Sequence, residues 1–234
     1  MKWIPDNTGR FSIRPYYEPG EIDAACDTFI TEFLQKKYGC AKMPLRTADL
    51  ETLLEIRTSD FDPYADLEHE GDDIEGVTYF VKDNLPAVKI SEELSIHHWQ
   101  ENRRRTTLAH ELGHVVFHSE LANKNLLTKN DDPSLQSIRC NRQNITAAKE
   151  VDWLEWQAYY ASGAYLMPRF YVNDLAKQIF DLVKLNWPFL ISSSLGYGFV
   201  SRVVNACKVS KAAAQVRLIQ MGYLTNDKAI ATIY

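Results

Sequence analysis

The stretch that most constrains this chain is Thr106-Thr107-Leu108-Ala109-His110-Glu111-Leu112-Gly113-His114-Val115-Val116-Phe117-His118. It contains His-Glu-x-x-His. Histidines four residues apart lie about one helical turn apart, so both rings leave the same face. At that spacing they can share one divalent metal, with zinc–nitrogen bonds of roughly 2.0–2.1 Å. Glu111 follows the first histidine directly and is turned to the flank of that face. There a carboxylate can take a proton from water without ligating, as a general base must. Leu108, Leu112, Val115 and Val116 suit a buried helix. Taken alone, the motif is also compatible with two structural histidines on a core helix.

His118 follows His114 at the same spacing, but its direction is rotated by roughly 80° from that of His110. It is a poor third ligand, better placed for hydrogen bonding behind the ligands or for lining a cleft. Catalytic zinc needs a third protein ligand and an open position. The candidate is Glu155, in a helical run rich in small residues (Ala158, Ala161, Ser162, Ala164) that lets another helix come close. By spacing alone it is equally an exposed helix glutamate, because the two-histidine motif does not fix where the third ligand falls. Asp152, about one turn earlier, could orient the free N–H of a histidine.

The remaining chain sets the frame. With 234 residues, 45% of them apolar, it can bury one core, or one core and a small appended domain. A net charge of −5 argues against broad nucleic-acid or membrane binding. No apolar run is long enough to span a bilayer, and the N-terminus lacks the apolar stretch of a signal peptide. Cys26, Cys40, Cys140 and Cys207 are scattered without a disulfide framework. A reduced, cytoplasmic setting is therefore expected.

In chain order, residues 1–19 read as an irregular arm. Glu21 to Tyr38 reads as a helix with a buried stripe of Ile22, Cys26, Phe29, Ile30, Phe33 and Leu34, with Asp23 on its polar side and Gly39 as its C-cap. Thr47 is placed to cap a second helix through Leu54. Residues 60–75 carry eight acids and no Lys or Arg, and read as a solvated acidic loop that includes His69. Gly76 to Val81 and Ala87 to Ile90 read as a hairpin, whose edge could pair with an extended peptide. His97 and His98 read as surface residues, and Arg103-Arg104-Arg105 as a solvated turn with one arginine paired inward. Residues 119–150 read as a polar excursion or lid, from which the Cys140 thiolate could swing toward a metal. Arg169 to Leu185 reads as an amphipathic helix ended by Pro188 and the run Ser192–Ser194. Phe199 to Ala206 and Lys211 to Met221 form a helix pair, with Ser210 capping the second. Arg202, Lys208, Lys211 and Arg217 give that pair a small basic patch; the acidic whole chain favours packing over DNA reading for it.

The run Arg103 to His118, followed by Glu155-Trp156-Gln157-Ala158-Tyr159-Tyr160-Ala161-Ser162-Gly163-Ala164-Tyr165-Leu166-Met167-Pro168, resembles the ImmA/IrrE family of metallopeptidases. Its members show an arginine-rich lead, Thr-Leu-Ala-His-Glu-Leu-Gly-His, a later histidine, and a Glu-x-x-Ala helix ending in Leu-Met-Pro. The Gly76-Val77-Thr78 strand and its hairpin partner also fit. The resemblance spans residues 20–222 and is densest from 76 to 168. It departs from the family in the long 119–150 excursion and in Tyr159, where many members have Asn.

The resemblance implies an α+β fold: a mostly helical zincin-like domain with a small antiparallel or mixed sheet beside the active-site helix. The expected organisation is an N-terminal arm (1–19), a metallopeptidase domain (20–190) and a C-terminal helical segment (191–234) packed on it. It implies His110, His114 and Glu155 as metal ligands and Glu111 as catalytic base, with Zn²⁺ bound; Mn²⁺ or Fe²⁺ also suit such donors. Tyr159, Tyr160 and His118 are candidates for stabilising an oxyanion. The implied activity is a zinc-dependent endopeptidase that cuts a helix-turn-helix repressor and so derepresses mobile-element, phage or stress-response genes. The alternative is a non-proteolytic regulatory or toxin–antitoxin partner that binds such a repressor through the same fold.

Overall fold

The computed structural model describes residues 1–71, 73–80, 83–123, 137–141, 152–183 and 187–227. Helices dominate and small sheets accompany them, as the α+β expectation requires. The chain divides into two units, one of Met1–Ile22 with Arg46–Ser162 and one of Asp23–Leu45 with Gly163–Tyr234.

The first unit begins with a hairpin in place of the expected irregular arm. Strands β1 (Lys2–Pro5) and β2 (Ile13–Tyr16) pair antiparallel, with Trp3 opposite Pro15. One side chain organises the turn. The Asp6 carboxylate accepts bonds from the Thr8 N–H, the Thr8 hydroxyl and the Phe11 N–H at 3.1, 2.7 and 3.1 Å. Phe11 then packs edge-on against Trp153, with ring centroids 5.7 Å apart, in a cluster with Leu121 and Leu154.

Helix α1 (Pro19–Tyr38) is closed by Gly39 at φ +74, the left-handed geometry a C-cap glycine supplies. Helix α2 (Thr47–Glu55) is preceded by Arg46, whose N–H donates to Asp49 at 2.9 Å; Thr47 is therefore the first helical residue and not the cap. Leu50, Leu53 and Leu54 of α2 are buried, and the helix packs on α4 (Glu101–Asn123).

The main sheet has the order β3-β5-β4-β6, with β3 (Asp60–Ala65), β4 (Ile74–Tyr79), β5 (Ala87–Ser91) and β6 (Ser137–Asn141). The β3–β5 pair is parallel and the other two pairs are antiparallel, so the sheet is mixed. The expected hairpin is present, with Gly76 opposite Ile90 and Thr78 opposite Val88. Its strands are both interior, however, so neither offers the free edge that strand addition needs. The acidic segment is not a loop either: it builds β3, a short turn at Glu68–Glu70 and the start of β4. Within it Glu75 is buried, paired with Arg103 and accepting a 3.2 Å bond from the Thr107 hydroxyl.

Helix α3 (Glu92–Ile96) leads to α4, which begins at Glu101. Arg103, Arg104 and Arg105 thus lie inside the helix and not in a solvated turn. Carboxylates on β4 and α2 draw two of them inward: Arg103 pairs with Glu75, and Arg104 with Glu51 at 2.5 Å. Arg105 is buried. Of the supposed excursion, α4 takes the residues up to Asn123, and β6 pairs along β4 with Cys140 opposite Gly76. The lid assigned to the rest, and the Cys140 thiolate, lie outside the described residues.

Helix α5 (Trp153–Leu166) belongs to the first unit as far as Ser162. In the second unit, Cys26, Ile30 and Leu34 of α1 are buried as the stripe predicts. Helix α6 (Arg169–Val183) precedes β7 (Phe189–Leu190), which pairs parallel with β8 (Leu224–Thr225). The serine run starts a helix instead of ending one: Ser193 accepts the Gly196 N–H at 3.0 Å and caps α7 (Ser194–Cys207). Ser210 caps α8 (Lys211–Gln220) as expected. Asp23 leaves the polar side of α1 for the interior, where it meets Arg217 at 2.6 Å, while the Arg217 Nε donates to the Met167 carbonyl at 3.1 Å. The basic patch of the helix pair loses Arg217 to this buried pair. No described helix is long and apolar enough to cross a membrane.

Candidate metal centre

Nearly every residue of α4 from Arg105 to His118 is buried. Such a helix is enclosed on all sides and needs small residues where neighbours cross it. Gly113 is that place: a Cβ added there would stand 3.0 Å from both the Cα and the carbonyl oxygen of Ala158, and 3.3 Å from the Ala161 Cβ. The Ser162 hydroxyl adds a 3.1 Å bond to the Thr106 carbonyl. The small residues of α5 thus let it touch α4 backbone to backbone, which sets Glu155 against the histidine face.

The three expected ligands converge there. The Nε2 atoms of His110 and His114 face each other at 3.0 Å. The Glu155 Oε2 lies 3.1 Å from the His110 Nε2, and its Oε1 3.5 Å from the His114 Nε2. All three side chains are buried, and one ligand atom from each falls within 4.8 Å of the others. Two ring nitrogens and a carboxylate aimed at one buried point attract positive charge there, a proton or a metal ion. Tetrahedral coordination at 2.1 Å would separate donors by about 3.4 Å, so the observed spacings fit a small first-row dication after slight expansion. The His110 Nδ1 has no partner among the described residues.

The electrostatics agree with that donor set. Burial alone would raise the Glu155 carboxyl, but His110 and His114 outweigh it and hold the group well below the usual carboxylate range. Burial would lower His110, and Glu155 beside it outweighs that, so its pKa is raised. Glu111 behaves oppositely to Glu155. It is fully buried, and burial raises its pKa despite the opposing effect of His114, His110 and a 2.6 Å bond from the Thr78 hydroxyl to its Oε2. Its Oε1 has no partner among the described residues. The room for that oxygen comes from Gly76, where a Cβ would stand 2.6 Å from it. Thr78 and Gly76 both lie on β4, so strand and helix together aim the carboxylate.

His118 lies behind the ligands, with its Nδ1 3.0 Å from the His114 Nδ1 and its Nε2 3.0 Å from the Gln157 Oε1. Burial holds its pKa well below the ordinary histidine value. With both nitrogens engaged, it is not free to stabilise an oxyanion. Asp152 does not orient a histidine; it pairs with Arg10 at 2.6 Å. His97 stacks on the exposed Trp99, and His69 and His98 are exposed, so all three stay apart from the centre. Gln157 and Thr78 were not anticipated. The signal for Gln157 was a lone amide inside an aromatic and small-residue run; Thr78 looked like an ordinary strand residue.

The family model of the M78 peptidases, described as the IrrE N-terminal-like domain, matches residues 92–218, just over half of the chain. The chain belongs to the M78 peptidase family. No curated protein matches it. Membership makes the chain a peptidase, a hydrolase whose substrate is protein, and the three-residue centre is its candidate metal site. The match spans α3 through most of α8; Gly76 and Thr78 precede it on β4.

Proposed function

We propose that this M78 peptidase is a zinc-dependent endopeptidase, with Zn²⁺ held by His110, His114 and Glu155 and with Glu111 as general base. The observation that carries this is the pairing of a buried N,N,O donor set with a second buried carboxylate that has one oxygen unpartnered. A dication bound there supplies Lewis acidity, making water nucleophilic near neutral pH and polarising the scissile carbonyl. Glu111 Oε1 takes the proton of the attacking water and returns it to the leaving amine nitrogen. Its raised pKa suits that exchange, and the Thr78 hydroxyl on Oε2 keeps Oε1 turned inward. Tyr159, one turn beyond Glu155 and half-buried, is our choice of oxyanion donor: burial raises its pKa and keeps its proton in place.

The substrate we propose is a helix-turn-helix repressor, cut to release the genes it silences, in a cytoplasmic setting. This rests on the resemblance to ImmA/IrrE enzymes and on family membership as a peptidase. The test is co-incubation of the purified, zinc-loaded chain with a repressor encoded beside it, followed by mass spectrometry. A defined cleavage by the wild-type protein, abolished in Glu111→Gln with zinc retained, supports the proposal. A stable complex with intact repressor and loaded metal would replace it with the non-proteolytic binding alternative.

A further inference from the structure

His118 and Gln157 form a connected path from the candidate metal centre to the N-terminal hairpin. The Gln157 Nε2 donates to the Pro15 carbonyl at 3.0 Å. A carbonyl can only accept, so this bond fixes which end of the amide is nitrogen and turns the oxygen toward His118. The His118 Nε2, 3.0 Å from that oxygen, must therefore carry a proton. One proton lies between the facing Nδ1 atoms of His118 and His114. If it belonged to His118, that ring would be a cation in a fully buried position, bonded to an amide and an imidazole and packed against the Trp153 ring, with no carboxylate hydrogen-bonded to it among the described residues, at high desolvation cost. The proton belongs to His114, whose Nε2 then presents a bare lone pair to the centre.

We infer that Gln157 and His118 are positioning residues that hold His114 in its metal-binding tautomer, and that the β2 carbonyl of Pro15 sets the polarity of this relay. This rests on the reading of His114 as a metal ligand. It goes further in making the hairpin, which precedes the family match, a working part of the site. A histidine ligand usually donates its second N–H to an acceptor that fixes its orientation. Here that acceptor is a second histidine, itself fixed from the far side.

The decisive measurement is ¹⁵N NMR of the histidine rings in the full, zinc-free chain. The expected pattern is His118 protonated on Nε2 and His114 on Nδ1. A His118 proton on Nδ1 overturns the relay, and this readout needs no substitution in the relay itself. Gln157→Met keeps the side-chain length but removes both amide bonds. It should scramble the His118 tautomer and raise the zinc dissociation constant, measured by chelator competition, by about tenfold to 100-fold. Unchanged zinc affinity in folded Gln157→Met likewise overturns the relay. Glu155→Ala separates the two ideas: if it too leaves zinc binding unchanged, the ligand assignment fails, and the tautomers of the wild-type chain still decide the relay.

Discussion

At the scale of residues, two buried carboxylates that feel the charge of the same two histidines are pushed in opposite directions. Two imidazoles facing Glu155 hold its carboxyl below the usual carboxylate range; burial with a single hydroxyl donor holds that of Glu111 above its ordinary value. Glu111→Gln preserves shape and the ligand set, so zinc content by elemental analysis should stay at the wild-type level. Cleavage should fall by about 10²-fold or more, the scale of a lost general base. Tyr159→Phe should lower kcat by about 10²-fold with little change in zinc content, if its hydroxyl is the oxyanion donor. The histidine motif was legible because spacing alone dictates the geometry of two ligands on one helix. Glu155 was legible only through the motif around it. The pair Asp23–Arg217 was not legible, because buried partners far apart in sequence leave no periodic trace. Asp23→Ala, which removes the carboxylate facing the buried Arg217 guanidinium, should cost about 3–5 kcal/mol in chemical denaturation.

At the scale of elements, α4 and α5 explain both a success and a failure of pattern reading. Both are buried on most faces, so neither carries the apolar stripe that marked α1; what revealed them was motif chemistry and small residues. Strand β4 was visible as a strand, but its role in holding the catalytic candidate was not, since Gly76 and Thr78 matter through what they face. Gly76→Ala would put a Cβ 2.6 Å from the Glu111 Oε1. The expected result is a displaced carboxylate: zinc retained, peptidase activity lost, and stability lowered by about 1–3 kcal/mol. The N-terminal hairpin escaped notice because one aspartate supplies its turn. Burial would raise the Asp6 pKa, but the Thr8 hydroxyl, the Thr8 and Phe11 N–H groups and the Trp153 indole N–H outweigh it and lower the value. A lowered folded-state pKa contributes stability above the unfolded value of about 3.9, and loses it as pH falls further. The difference in melting temperature between wild type and Asp6→Asn should therefore be full at neutral pH and shrink on acidification below about pH 4.

At the scale of the whole molecule, metal and fold should be coupled. The ligands come from two helices, with Glu155 41 positions after His114, so a bound ion would close a loop of that length. Chelation should lower the melting temperature. At a free zinc concentration about 100-fold above the dissociation constant, the ion should contribute about 2.7 kcal/mol to stability.

The backbone contact between Gly113 and Ala158 has one more consequence. With only the Ala158 backbone and the Ala161 methyl against Gly113, little can yield, and the gap between the histidine face and Glu155 would work as a fixed gauge for the radius of a bound ion. Calcium prefers six to eight oxygen ligands at 2.3–2.6 Å and would have to wedge the helices apart. If a cation binds there, its selection by size would in this sense be written at a glycine outside the donor set.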